Sequence, residues 1–164
     1  ASTVRVGNYA GADDRVNLTR STSASFWLGT AVTIATMAIL LIWPQQLVGL
    51  FLAAGDGMFD EVMALALPMM LLTALFQIPD GLQAVAISVL RGLNDTRTPG
   101  MIAIASFWIT GVAVGAVAGL SAGWGPSGVW GGLLIGLSIA ALLLTLRMKR
   151  ALHRIKEGGI ILVA

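Results

Sequence analysis

The chain has 164 residues, 57% of them hydrophobic and only 11% charged, with a formal net charge of +2 and a mean hydropathy of +0.87. Soluble domains carry about 25% charged residues, so this composition excludes an ordinary water-soluble globule and implies an integral membrane protein. Cysteine is absent, which removes disulfide frameworks, thiolate metal sites and cysteine nucleophiles.

Residues 1–20, ASTVRVGNYAGADDRVNLTR, are polar and hold Gly7, Gly11 and charges of both signs. They read as the end of a longer helix followed by a loop. The chain opens on Ala with no signal peptide before its first span, so it reads as a piece of a longer polypeptide. The first full span is Ser21–Trp43, with Trp27 and Trp43 near its ends in the interfacial belts and Pro44 stopping it. The next segment, QQLVGLFLAAGDGMFDE, is half apolar. Its first ten residues are too short to cross and either extend the helix or lie at the interface.

The second span, Val62–Leu90, is an almost purely apolar run with a single acid, Asp80. At 1.5 Å per residue it exceeds the roughly 30 Å hydrocarbon core. Arg91 marks one surface, so the Asp80 carboxyl lies about 16 Å deep, near the midplane. An ionised group there costs about 2.5–3.5 kcal/mol on insertion scales, which makes a lone intramembrane acid a functional candidate. Pro79 sits directly before it, lacks a backbone donor and frees the Leu75 carbonyl, so a kink is expected. Thr73, Gln77, Asp80, Gln83 and Ser88 fall within roughly 140° of one another at 100° per residue and form a polar stripe. Three readings of Asp80 stay open on this basis. Pro-Asp-Gly is also a soluble-protein turn signal, a buried Asp can cap a broken helix, and an acid stranded in oil can take up and release a cation.

The second span ends at RGLNDTRTPG, where Gly92, Asn94, Asp95 and Pro99 are turn or cap residues. The third span is Met101–Leu120 and the fourth Val129–Leu146, with the glycine-rich SAGWGPSG between them. The tail, residues 147–164, opens with the basic RMKRALHRIK and closes on IILVA, which is too short to span. Gly111, Gly115 and Gly119 repeat every four residues, as do Gly128, Gly132, Gly136 and Ala140. Such spacing lets helix backbones approach closely in lipid. Trp108 lies some 12 Å inside the third span by helical rise, away from either belt. It either lines a cavity or fills the core.

Sorting charges by side supports four spans. Segments 1–20, 91–99 and 147–164 share one face and hold all ten basic residues, while 44–61 and 121–128 hold none. Basic loops stay cytoplasmic, so both ends of the chain are expected inside. An isoelectric point near 9.7 therefore reflects topology, and no nucleic-acid partner is expected. Other chemistry lacks its residues. One intramembrane acid makes no carboxylate dyad. The only histidine, His153, sits in the tail and forms no Ser–His pair within the bilayer. There is no glycine-rich phosphate loop with its Lys. An enzyme is not expected.

FQIPDGLQAVAISVLRGLNDTRTP (residues 76–99) resembles the tenth-helix signature of the multidrug and toxic compound extrusion (MATE) family, of the NorM type. RVGNYAGADD is similar to that family's loop after its eighth helix, ASFWITG to its eleventh-helix aromatic segment, and GPSGVWGGLLIGL to the start of its twelfth helix. Asp13 departs from the pattern, standing where the family has the second glycine of Gly-Ala-Gly-Asp. The resemblance implies an all-α polytopic membrane bundle, with four complete helices from the second of two six-helix halves. It implies secondary antiport, in which organic cations or other xenobiotics leave a bacterial inner membrane in exchange for H⁺ or Na⁺. No cofactor beyond that ion is implied. The partners implied are the bilayer, small organic cations and the N-terminal half. Asp80 takes the cation-coupling role, with a possible Na⁺ beside it. Gln77 and Thr73, together with Gln83 and Trp108, are the candidate cavity-lining residues. Arg91, Gly92, Asp95 and Pro99 match as cytoplasmic hinge and topology residues. Two other readings compete. A lipid-linked oligosaccharide flippase of the same superfamily would favour a cationic cavity, and no span here holds a basic residue. A non-transporting scaffold would be built on the glycine faces.

Overall fold

Hydrocarbon offers no hydrogen-bond partner to the backbone, so a spanning segment must satisfy its own N–H and C=O groups. The computed structural model describes residues 2–51 and 59–158, and all regular structure among them is helical. A short α1 (Ser2–Gly11) leads into α2 (Arg15–Ile42), α3 (Pro44–Gly49), α4 (Phe59–Gly92), α5 (Arg97–Ser121) and α6 (Gly125–Lys156). The helices α2, α4, α5 and α6 are long and apolar enough to cross a membrane. Asp56 and the terminal IILVA lie outside the described residues.

Each crossing helix runs past the span expected from hydropathy, because polar groups extend it beyond the oil. α2 begins at Arg15 instead of Ser21. The Asp14 carboxylate accepts the Asn17 backbone N–H at 3.0 Å and its side-chain amide at 2.6 Å, so an N-cap starts the helix in the polar segment. Those two bonds, the backbone one first, hold the Asp14 carboxyl below its ordinary value. The stabilisation is present above the unfolded carboxylate range and fades as pH falls through the folded value. The loop before it is only residues 12–14, and it turns on Asp13 at φ 52. That left-handed conformation favours glycine, the residue the MATE pattern places there.

α4 continues through both Pro68 and Pro79, so the Pro-Asp-Gly turn does not form. Continuity across a proline is tolerated in lipid where neighbouring groups satisfy the freed carbonyl. α4 ends at Gly92, and Asn94 at φ 64 brings the Asp95 N–H back to the Leu90 carbonyl at 2.9 Å. α3 starts immediately after Trp43, with Pro44 in its first turn. α5 widens into π-helical turns at Ser106–Val112 and Val117–Ser121. α6 runs through the basic stretch to Lys156, and its Met148 and Ile155 are buried. Residues 147–156 of the basic tail thus continue the packed helix.

Two contacts organise the bundle. At the end carrying the basic residues, Val6, Leu18, Leu90, Leu93, Leu144 and Met148 form one buried cluster drawn from α1, α2, α4 with its following turn, and α6. Along α5 and α6 the two glycine rows face each other. A Cβ on Gly132 would overlap the Gly115 backbone, one on Gly136 would lie 2.7 Å from the Gly111 Cα, and one on Gly128 would lie 2.7 Å from the Ala118 carbonyl carbon. Helices in lipid gain little from apolar burial, so this backbone approach is what holds the pair.

Gly132→Ala is expected to lower stability in detergent by about 1–3 kcal/mol through overpacking. Gly131→Ala has open space at its Cβ and should instead stabilise by roughly 0.5–1 kcal/mol. Thermal midpoints of the two variants check the contrast.

Candidate functional site

α4 runs between α2 and α6. On one side Gly81 faces Thr33 so closely that a Cβ would overlap its hydroxyl, and Gly29 faces Val85. On the other side Phe76 meets Trp130 edge to face, with ring centroids 5.6 Å apart. The strip of α4 left between these contacts carries Thr73, Gln77, Asp80, Ala84 and Arg91, which lie within roughly 60° at 100° per residue. Asp80, Ala84 and Arg91 are exposed, while Thr73 and Gln77 are half-buried.

The polar stripe read from the sequence therefore divides. Thr73, Gln77 and Asp80 share the uncovered strip, although the Thr73 hydroxyl is already donated to the Met69 carbonyl at 2.8 Å. Gln83 lies seven residues after Phe76 and shares the face turned toward α6. Its Oε1 is buried without a hydrogen-bond partner among the described residues. Ser88 lies seven residues after Gly81 and faces α2. Pro79 is buried within the continuous helix. Trp108 sits away from all of these, 68% exposed on α5 beside Ile109.

Ser88 lines a cleft of about 580 Å³ between α1, α2 and α4, together with Arg5, Ser21, Ser25, Thr33 and Gly81. The Ser25 hydroxyl donates to the Ser21 carbonyl at 2.8 Å, and the Ser21 hydroxyl is buried without a partner among the described residues. Sequence reading missed this wall, yet its signal was present. Ser21, Ser25, Gly29 and Thr33 recur every four residues, the same small-residue spacing that marks the glycine faces. A second cleft of about 460 Å³ is apolar, with Leu71, Leu72, Val114, Trp124 and Ile135 in its walls. Asp80 and Trp108 line neither. Among the described residues no group of three or more His, Cys, Asp or Glu side chains gathers. Any cation at Asp80 would need backbone or amide oxygens beside the one carboxylate.

A bundle of crossing helices with one acid on an uncovered polar strip belongs to the class of polytopic α-helical membrane proteins. Comparison with known proteins narrows the class. The MatE family model matches residues 1–117. The probable multidrug resistance protein NorM of Xanthomonas campestris pv. campestris is 40% identical over 163 residues, covering 97% of this chain and 34% of that protein. The probable multidrug resistance protein NorM of Rhizobium meliloti is 37% identical over 158 residues, with 96% and 34% covered. The crystal structure of the eukaryotic MATE transporter AtDTX14 shares the fold at a TM-score of 0.69 and 19% identity, over 96% of this chain and 35% of that one. The chain belongs to the MatE family, and it spans about a third of the length of the relatives it matches.

Gln83→Met should keep the shape of the side chain while removing a buried acceptor that has no partner among the described residues. Stability is expected to hold or rise by about 0.5–1 kcal/mol, read from the thermal midpoint. A fall of that size would show that the amide is satisfied in the folded protein.

Proposed function

We propose that the chain is part of a secondary antiporter that carries organic cations out of the cell in exchange for H⁺ or Na⁺. Asp80 is the group that binds the coupling ion. One observation carries the reading: the only acid in the interior of any span lies on the strip of α4 that neither α2 nor α6 covers. An acid in that position exchanges a cation with whatever cavity the rest of the protein builds around it. Gln77 supplies an amide one turn away, and the Thr73 hydroxyl, back-bonded to Met69, lines the strip without donating to the cargo. The relatives named for multidrug resistance favour this cargo over a lipid-linked sugar. A cargo with a pyrophosphate head would also call for bases inside the spans.

Coupling requires that ion and cargo favour different conformations, because a ligand with equal affinity for both shifts nothing. The remaining two thirds of a relative's length would supply the first half and the opposing wall of the cavity. The membrane is the bacterial inner membrane, with the basic ends of all four spans in the cytoplasm.

Two measurements test the proposal in the full-length protein. Asp80→Asn should cut ion-driven dye movement in everted vesicles at least tenfold while leaving the amount of folded protein unchanged. Undiminished flux removes Asp80 from the mechanism. For topology, cysteines at exposed Ala122 and His153 in an otherwise cysteine-free background should react with an impermeant maleimide from opposite sides, Ala122→Cys in intact cells and His153→Cys only after permeabilisation.

A further inference from the structure

The basic end of the bundle is tied by polar groups as well as by its apolar cluster. Arg147 Nε donates to Asp95 Oδ2 at 2.5 Å, and Arg147 Nη2 donates to the Thr98 hydroxyl at 3.1 Å. Asp95 is 6% exposed. Its backbone N–H is bonded to Leu90, so the residue is fixed at both its main chain and its carboxylate. One guanidinium thus joins the turn after α4, the first turn of α5 and the body of α6. Next to Thr98, Pro99 is fully buried and anchors the start of α5. On the far side of the cluster, Arg15 Nη1 donates to the Ile155 carbonyl at 2.6 Å and ties the start of α2 to the end of α6. A nearly buried carboxylate bonded to a guanidinium resists separation, since parting them leaves a charge without water.

Between Pro79 and Gly92, α4 buries Ala86, Val89 and Leu90, so its basic end is packed by this chain alone. We propose that Asp95, Arg147 and Thr98 are positioning residues that weld the basic ends of α4, α5 and α6 into one block. That block stays shut through the transport cycle. Arg147 thereby acts as more than one of ten topology charges. A lysine is a poor replacement, because its flexible ammonium lacks the rigid fork that sets Nε toward Asp95 and Nη2 toward Thr98.

The inference rests on the transport reading, so its test has one arm that needs no transport. In the full-length protein, Asp95→Ala and the milder Asp95→Asn should both raise hydrogen exchange at least tenfold at the amides of residues 86–95 and 140–148. Unchanged exchange overturns the weld. In the second arm, Asp95→Cys combined with Arg147→Cys should lower the maximal rate of dye movement about tenfold with KM within twofold. Bridging the two thiols with mercuric ion should restore at least threefold of that loss. Flux that falls further on bridging shows that this end must open, and parental flux before bridging shows that the pair does nothing; either result overturns the proposal. Arg147→Lys should behave like Asp95→Asn, and full retention of rate and protection in it would also sink the idea. Should the parent protein itself move no dye, the transport reading fails while hydrogen exchange still decides the weld.

Discussion

The backbone contact between α5 and α6 is the constraint on which the rest of the bundle leans. In water, two apolar helix faces associate because water is released. In lipid that gain is absent, and contact must come from dispersion over surfaces that approach closely. Gly111 and Gly115 on α5, set against Gly132 and Gly136 on α6, bring backbone onto backbone. With α5 held in this way, α6 can present Trp130 to Phe76 and Arg147 to Asp95, so the middle of α4 and the turn after it find their places against α6. The π-helical turns of α5 occur along the same glycine row. Mid-helix departures of this kind recur where function or close packing demands them.

α4 then becomes the element that faces two ways. Its glycines and small residues meet α2 and its aromatic meets α6, which leaves a narrow strip for Thr73, Gln77 and Asp80. The division is a matter of helical phase. Seven residues place Gln83 on the Phe76 face and Ser88 on the Gly81 face, although both looked like members of one stripe. Short of Arg91 at its basic end, the polar groups on the strip are a carboxylate, an amide and a hydroxyl, a small set suited to a monovalent cation or a proton and poorly suited to a caged divalent metal.

The cluster at the basic end explains why the charged stretches belong to the structure. Arg15, Arg147 and Asp95 are spent on hydrogen bonds that tie α2, α5 and α6 together. The N-terminal loop shrinks to three residues because Asp14 caps α2 and Asp13 accepts a left-handed turn. Hydropathy cannot register either effect, since it scores the same residues only as polar and therefore as outside.

The number of crossings, their order and the gathering of all bases at one end followed from the sequence alone, because transfer free energy and loop charge act residue by residue along the chain. The glycine faces were also legible, since the period of four states its own geometry. The resemblance of residues 76–99 to the tenth helix of MATE transporters was local for the same reason. Only the tertiary structure decided which helix each face meets. It sent Gln83 toward α6 and Ser88 into the α2 cleft, left Trp108 uncovered by the other helices of this chain, and paired Asp95 with a base 52 positions away. Those outcomes depend on where neighbouring helices lie in space, and a one-dimensional pattern of apolar and polar residues does not contain that information.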